Sequence, residues 1–295
     1  MIFDIQYLIF CLRLEAFGFR LGMVNLARNG VSLGLKKTIG KIAQPVNAPD
    51  RFVEHFWVWR YLQRLGSGRI LDISSPKLLS LFATRYLSHR ACIVAADVVA
   101  EYLTEWRLMG NLLVGRSLDL AKLHIASLDA RQIGCPDGWF DAVYSISVLE
   151  HIPGDGDSAA LQELIRVVKP GGYVLITLPF DNTYREQYKQ DDVYERRYQG
   201  EPIFFQRIYD SHALAQLLDA VRQHIILEDV CVGSEIIPYM PLFISLHENV
   251  RGILGLFSFI VALVNYRSAH LTFDEPCSHK LKSAGFVFVA LRKIP

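Results

Sequence analysis

Short apolar segments alternate along the chain with stretches whose hydrophobic residues recur at helical spacing. Most of the apolar segments end in acidic or small residues, a pattern typical of strands that lead into helices. The predicted strands are Ile70–Ile73, Cys92–Ala96, Leu123–Ser127, Phe140–Ser145, Tyr173–Leu178, Ile225–Val232 and Phe286–Leu291. Such alternation predicts an α/β fold, with helices on both faces of a mostly parallel sheet.

The composition narrows the class of protein. Of the 295 residues, 51% are hydrophobic and 12% are aromatic, which is enough for a sizeable core. The formal net charge of +1 argues against a dedicated nucleic-acid-binding protein. The five cysteines are scattered singly and form no cluster with histidine, so we predict neither a metal site nor a disulfide framework. A reduced, cytoplasmic environment is the expectation.

Two motifs flank the last parallel strands. Phe140-Asp141-Ala142-Val143 leads into Val148-Leu149-Glu150-His151, and Lys169-Pro170-Gly171-Gly172 precedes the fifth strand. In this order and spacing the chain resembles the class I S-adenosylmethionine-dependent methyltransferases, especially the small-molecule group. The resemblance covers roughly residues 52–232 and the final strand. It implies a three-layer α/β/α, doubly wound sheet with an antiparallel last strand, and S-adenosylmethionine as cofactor.

The resemblance also implies a division of the chain. Residues 1–49 form a helical N-terminal extension, and residues 50–295 form the methyltransferase domain. Within that domain, residues 181–210 stand where related enzymes build a substrate lid. Residues 233–283 are a helical insertion before the last strand.

The loop after the first strand departs from the family pattern. Relatives follow the aspartate, here Asp72, with a Gly-x-Gly-x-Gly loop. This chain has Ser74, Pro76 and Leu78 at the glycine positions. Serine hydroxyls at Ser74 and Ser75 are able to donate to the cofactor carboxylate. Proline removes a backbone donor, so we expect the loop to follow a different path.

Acids after the second and third strands are the other cofactor candidates. Asp97, followed by Val98, is placed to accept both ribose hydroxyls, as in dinucleotide enzymes. The alternative for Asp97 is a helix cap. By resemblance, Asp129 accepts from the adenine amino group, and the backbone N–H of Ala130 meets a ring nitrogen.

Residues at the end of the fourth strand complete the predicted cofactor site. The resemblance places Ser145 and Ile146 beneath the sulfonium and its methyl group. His151 lies near the expected methyl donor, where a histidine is able to take a proton from a hydroxyl or amine. Its alternative role is structural, bonded to a loop carbonyl.

The predicted lid is rich in tyrosine and arginine. Tyr184, Tyr194 and Arg207 are the candidates for substrate contact, because this mixture suits a polar, anionic or glycosidic acceptor. The alternative is an ordered loop that only packs on the domain.

Two apolar segments, residues 1–12 and 252–264, are each too short to span a bilayer, which takes roughly 20 residues. Basic residues flank the first segment. Such helices either pack on the domain, on each other or on a second subunit of a homodimer, or lie in a membrane interface.

Methyl transfer to O, N or C of a small or lipid-linked metabolite is the leading functional hypothesis. The alternative is a non-catalytic binding or scaffold protein that retained the fold and lost the cofactor loop. With the basic flanks, the apolar segments lead us to predict peripheral attachment to the cytoplasmic face of the inner membrane.

Overall fold

The computed structural model describes residues 5–29, 49–104, 107, 122–194, 196–237, 258–270 and 285–295. The helices are α1 (Ile5–Asn29), α2 (Pro49–Leu65), α3 (Leu78–Tyr86), α4 (Gly156–Val167), α5 (Ser211–Asp219) and α6 (Ser258–Asn265). The strands are β1 (Gly68–Ile73), β2 (Ala91–Asp97), β3 (Leu123–Ser127), β4 (Phe140–Ile146), β5 (Val168–Phe180), β6 (Arg185–Lys189), β7 (Ile203–Ile208), β8 (Ile225–Glu235), β9 (Tyr266–His270) and β10 (Gly285–Lys293). Short 3-10 helices occupy Leu149–His151 and Arg222–His224.

The main sheet has the order β3-β2-β1-β4-β5-β10-β8-β9. Strands β3, β2, β1, β4 and β5 pair in parallel, and β10 runs antiparallel between β5 and β8. All seven predicted strands are therefore confirmed, as is the antiparallel last strand. The order reverses between β1 and β4, which makes this edge the topological switch point of the sheet.

Alternate residues of the strands face two separate hydrophobic cores. Ile70 and Tyr144 face one core, with α1, α2, α3 and α6. Leu71 and Val143 face the other core, with α4 and α5. This alternation follows from the two-residue period of a strand, and burial on both faces explains why the central strands read as continuous apolar runs. The three-layer α/β/α prediction is confirmed.

An aromatic cluster attaches α1 to the domain. Phe82 of α3 lies edge-to-face with Phe10 and Phe17 of α1, with ring centroids 5.7 and 5.6 Å apart, and with Trp59 of α2 at 5.0 Å. The Tyr7 hydroxyl donates to the Ala262 carbonyl of α6 over 3.4 Å. The two apolar segments of the sequence therefore contact each other as well as the domain.

Helix α2 begins at Pro49, with Asp50 in its first turn, because proline is well suited to the first helical position, where no backbone N–H is needed. One feature differs from the sequence-based expectation. The insertion before β10 contributes a strand as well as a helix. Its predicted helix at 252–264 is observed over Ser258–Asn265, and residues 252–257 lie outside the described part. Strand β9 follows at once and extends the sheet beyond β8.

The segment predicted as a lid forms a small hairpin-like layer at the edge of the main sheet. Strands β6 and β7 pair antiparallel, separately from the main sheet. Backbone bonds between Tyr209 and both Pro179 and Asp181 attach its end to β5. Among the described residues, no helix combines the length and hydropathy needed to cross a membrane.

We predict that Phe82→Ala lowers the free energy of unfolding by about 3–5 kcal/mol, because it opens a cavity in the aromatic cluster. Phe19→Ala is the matched control. Phe19 lies on the outer side of α1 and is 47% exposed, so the change should stay within about 0.5 kcal/mol. Urea denaturation measures the free energy of unfolding of both variants. A similar loss of stability in the two variants would contradict the packing of α1 on the aromatic cluster.

Candidate active site

Backbone strain is concentrated at the carboxyl ends of the strands. Among the described residues, three that are not glycine have positive φ: Ser74 at +52°, Ser147 at +52° and Tyr194 at +54°. Ser74 follows β1, Ser147 follows β4, and Tyr194 lies in the predicted lid. A side chain in this region costs about 1–2 kcal/mol, and such residues cluster at functional sites. The strain therefore marks the switch point between β1 and β4.

Asp72 sits at the centre of a buried hydrogen-bond network. One oxygen accepts from the Tyr144 hydroxyl over 2.7 Å, and the other accepts from the Ser75 backbone N–H over 3.1 Å. The Ser75 hydroxyl oxygen accepts from the Ile146 backbone N–H over 2.9 Å. Burial raises the pKa of Asp72 to about 6. These bonds join the ends of β1 and β4, and the predicted cofactor roles of Asp72 and Ser75 stay predictions.

The serine loop retains a backbone conformation that glycine adopts freely. Ser74 has φ +52°, and its backbone N–H donates to the Ala96 carbonyl of β2 over 2.7 Å. Its hydroxyl points towards the same carbonyl at 3.4 Å. At Ser74 the chain therefore makes the turn without glycine, at the cost of a strained residue.

Asp97 closes β2 and caps the segment that follows. Its side chain accepts from the Val99 backbone N–H over 2.8 Å, and residues 100–104 are helical. Burial raises its pKa. Val98 is 51% exposed beside it. The capping alternative is thus observed, and the predicted ribose contact stays a prediction.

Asp129 and Ala130 follow β3, and the Asp129 side chain is partly exposed. Asp129 forms a bidentate ion pair with Arg131, in which each carboxylate oxygen accepts from a guanidinium nitrogen. The shorter of these bonds measures 2.7 Å. The Arg131 bonds lower the pKa of Asp129. Ala130 is buried. The adenine role of this pair stays a prediction.

The end of β4 is tied to helix α2 by a buried carboxylate. Glu54 accepts from the Ser147 hydroxyl over 2.8 Å and from the Thr177 hydroxyl of β5 over 2.7 Å. Its other oxygen accepts from Arg51 over 2.7 Å. Ser145 and Ile146 are buried beneath this point, with the Ser145 hydroxyl 3.3 Å from the Ile73 carbonyl.

His151 is bonded to the lid. Its Nδ1 lies 2.8 Å from the Phe205 carbonyl oxygen, which only accepts, so Nδ1 carries the proton and Nε2 carries a lone pair. Burial lowers the pKa of His151 to about 4. The ring also contacts Tyr194 edge-on, with centroids 5.3 Å apart. The structural alternative is thus observed, and the role as a base stays a prediction.

Of the three lid candidates, Tyr194 lies nearest to the strand ends. Tyr184 is half-exposed and donates to Glu186 over 3.0 Å. Arg207 is buried and donates to the Ile152 and Gly154 carbonyls, which fixes the loop after β4. Substrate contact by Tyr184, Tyr194 and Arg207 stays a prediction.

Comparison with known proteins assigns this arrangement. Residues 79–176 match the profile of a protein family described as "Methyltransferase domain". The chain contains a methyltransferase domain. Its sheet order is that of the Rossmann-like α/β methyltransferase fold, as the sequence motifs predicted.

Two curated relatives match part of the methyltransferase domain. They are the ubiquinone/menaquinone biosynthesis C-methyltransferases UbiE from Cupriavidus taiwanensis and Cupriavidus pinatubonensis, each 35% identical over 101 residues. The match covers 34% of this chain and 40% of each relative.

Solved structures share the fold of the methyltransferase domain. The [4+2]-cyclase SpnF superposes with a TM-score of 0.51 at 18% identity, covering 83% of this chain and 81% of that one. A SAM-dependent methyltransferase from Methanosarcina mazei gives a TM-score of 0.50 at 16% identity, covering 81% and 98%. At these identities the likeness concerns the fold alone.

Sequence reasoning missed the charged residues of α2 and Glu150. Glu54 and His55 interrupt an apolar run, and both are buried in the structure. That interruption was a usable signal, since a charged residue inside an apolar helical run needs a partner. Trp57 and Trp59 of the same helix pack in the core, Trp57 against Phe288.

We predict that Ser74→Gly raises the free energy of unfolding of the methyltransferase domain by about 0.5–1 kcal/mol. Relief of the left-handed conformation, about 1–2 kcal/mol, exceeds the extra chain entropy of glycine. Ser75→Gly is the control and should cost about 2 kcal/mol or more, because it leaves the buried Ile146 N–H without its acceptor. Chemical denaturation compares the free energies of unfolding of the two variants with that of the parent. Destabilisation by Ser74→Gly would refute the interpretation of Ser74 as a strained turn residue.

Proposed function

We propose that this protein transfers a methyl group from S-adenosylmethionine to O, N or C of a small, lipophilic or lipid-linked acceptor. The observation that carries the proposal is the set of polar and strained groups at the switch point between β1 and β4, flanked by Asp97 at the end of β2. Ligands of open parallel sheets bind at this edge.

The described residues fit the cofactor chemically. Asp97 and Ser74 are hydrogen-bonded to each other and lie side by side at the ends of β2 and β1, where ribose hydroxyls are expected to bind. Glu150 of the 3-10 helix is buried, and its Oε2 has no hydrogen-bond partner among the described residues. Acidic groups suit a ligand that carries a positive sulfonium. When bound, S-adenosylmethionine supplies an electrophilic methyl group.

The protein's own contribution to this reaction is mainly alignment. The backbone at Ser147 is fixed by Glu54 and by a bond from its N–H to the Thr177 carbonyl over 3.1 Å, so the floor of the site is rigid. Rigid placement of two reactants supplies a large part of the rate in such reactions. His151 is neutral, and its Nε2 lone pair is able to take the acceptor's proton. The predicted lid is attached to this region by the bond between His151 and the Phe205 carbonyl.

The alternative is a non-catalytic binding protein of the same fold. Asp72 and Ser75 use their polar atoms on internal bonds, and Pro76 lacks a backbone donor, which favours this alternative. SpnF, a [4+2]-cyclase, shares the fold, so the architecture by itself decides no activity. Binding of the cofactor separates the two hypotheses.

A membrane-bound acceptor is supported by the two apolar faces of α1. One face packs on the domain through Tyr7, Phe10, Cys11, Leu14, Phe17 and Leu21. The opposite face presents Ile5, Leu8, Ile9, Leu12, Phe19 and Met23, each 36–68% exposed. At 100° per residue these two sets lie on opposite sides of the helix. A second apolar face of this length marks an interaction surface.

An anionic membrane surface is the occupant that we propose for this outward face. Arg13 and Arg20 are exposed along one edge of the stripe, and Glu15, on the other edge, is half-buried with its pKa raised to about 7 by burial. Basic residues close to the surface each contribute about 1 kcal/mol with anionic lipids. Ile260 and Val264 of α6 are also exposed beside it. This supports peripheral attachment at the cytoplasmic side of the inner membrane.

A cleft next to the stripe fits the lipophilic part of an acceptor or a lipid. It has a volume of about 270 Å³. Its lining combines aromatic side chains (Phe10, Phe56, Trp59 and Phe82) with polar ones, of which Arg13 carries a positive charge. Aromatic walls beside one cationic group suit an amphiphile with an acidic head.

We expect Asp97→Asn to weaken binding of S-adenosylmethionine and S-adenosylhomocysteine by about 10- to 100-fold, because a neutral amide replaces a charge-assisted acceptor. Asparagine still caps residues 100–104, so the fold should persist. Asp219→Asn, on the exposed end of α5, is the control and should bind as the parent does. Isothermal titration calorimetry measures both, and parent-like affinity of a folded Asp97→Asn protein would exclude the ribose role.

Vesicle co-sedimentation tests the membrane proposal. The parent should pellet with anionic vesicles and less so at high salt. The triple change Ile9→Ser, Leu12→Ser and Phe19→Ser should reduce the bound fraction at least tenfold. The double change Ile226→Ser and Leu227→Ser, on exposed apolar residues at the start of β8, should leave it unaltered. A parent that stays in the supernatant at low salt and forms a stable dimer would assign the face to a second subunit.

A further inference from the structure

Glu150 is a buried carboxyl group at the edge of the sheet where a ligand is expected. It lies in the 3-10 helix Leu149–His151, four residues beyond the end of β4, and is 1% exposed. Its Oε2 has no hydrogen-bond partner among the described residues. A backbone N–H bond within Glu150 lowers the pKa of the carboxyl, but the buried oxygen without a partner still costs free energy, so its presence at this edge calls for a function.

The groups that face Glu150 do not balance a negative charge there. His151 Nε2 lies 3.7 Å from Glu150 Oε1, but this nitrogen carries a lone pair, and burial keeps the ring neutral with a pKa of about 4. From α2, Arg51 lowers the pKa of Glu150 and Glu54 raises it. Arg51 is bonded to Glu54 over 2.7 Å, so its charge is already shared. The lid contributes Tyr194 and Tyr209, both neutral hydroxyls.

Burial dominates the ionisation of Glu150 in the free protein. It raises the pKa of this carboxyl to about 8, so the group is protonated at neutral pH. Below that pH, ionisation becomes favourable only when a positive charge arrives nearby. Arg51 cannot move into this role without breaking its bond to Glu54 Oε2.

We infer that Glu150 is the charge-sensing residue of the cofactor site, neutral in the free protein and ionised when a cationic ligand, the sulfonium of S-adenosylmethionine, occupies the β1/β4 switch point. This inference rests on the proposed function. It makes Glu150 a specificity residue that distinguishes the charged cofactor from its uncharged thioether product. The O–H bond of the carboxyl breaks, the electron pair stays on Glu150, and the proton goes to the buffer.

If Glu150 ionises when S-adenosylmethionine binds, the protein releases a proton on binding. At pH 7 about 0.9 proton should leave for each S-adenosylmethionine bound, given a free-protein pKa of about 8. The affinity for S-adenosylmethionine should rise about tenfold per pH unit between pH 6 and 7 and level off near pH 8. S-adenosylhomocysteine carries the same amino and carboxyl groups without the sulfonium, so it should show neither effect.

Isothermal titration calorimetry of the full chain in two buffers of different ionisation enthalpy gives the number of protons released for each ligand bound. Glu150→Gln retains the shape and removes the charge. It should abolish the extra proton released with S-adenosylmethionine and weaken that ligand at least tenfold, while binding of S-adenosylhomocysteine changes less than threefold. Glu101→Gln, on an exposed helical residue, is the matched control and should behave as the parent does.

The outcomes separate the two proposals. If neither ligand binds the parent, the proposed function fails, and the inference fails with it. If both ligands bind with equal proton release and equal pH dependence, the cofactor site stands and the role of Glu150 is overturned. The proton count on the parent decides this even where Glu150→Gln does not fold.

Discussion

The carboxylate of Glu54 joins helix α2 to the ends of the paired strands β4 and β5. Its oxygens accept from Ser147 after β4, from Thr177 of β5 and from Arg51 one turn earlier in α2. A buried carboxylate is stable only when its oxygens are satisfied, and the bonds from Ser147 and Thr177 fix the position of α2 over the strand ends. The strained backbone at Ser147 persists because Glu54 and Thr177 hold it on both sides.

This constraint explains why strain collects at one edge of the sheet. Ser74 and Ser147 end the two strands between which the sheet order reverses, and each is held by bonds to a neighbouring strand. The bonds of Asp72 to Tyr144 and Ser75 then lock β1 to β4 below them. The site is therefore built on rigid strands, and only the lid above it comes from a separate small sheet.

The sequence was sufficient for the fold, because apolar runs of strand length are a strong signal when both faces of a sheet are buried. Strand β9 was missed, since an edge strand after an apolar helix carries no such run. In the site, the polar residues that follow the strands were found from their position in the sequence. Glu54 was not, because its partners Ser147 and Thr177 are 93 and 123 residues away. The tautomer of His151 likewise depends on the Phe205 carbonyl of the lid, which no local pattern indicates.

Helix α2 links the proposed membrane face to the proposed catalytic edge. Phe56 lies one half-turn beyond Glu54 and packs against Phe10 of α1, with ring centroids 5.5 Å apart. On α1, the residues opposite Phe10 form the outward apolar stripe. One rigid helix thus touches α1, which carries the proposed membrane face, with its aromatic residues and the strand ends with Glu54. Because the bonds of Glu54 fix α2, the stripe and the site keep a constant relative orientation, so a bilayer bound to α1 as proposed would always meet the domain on the same side.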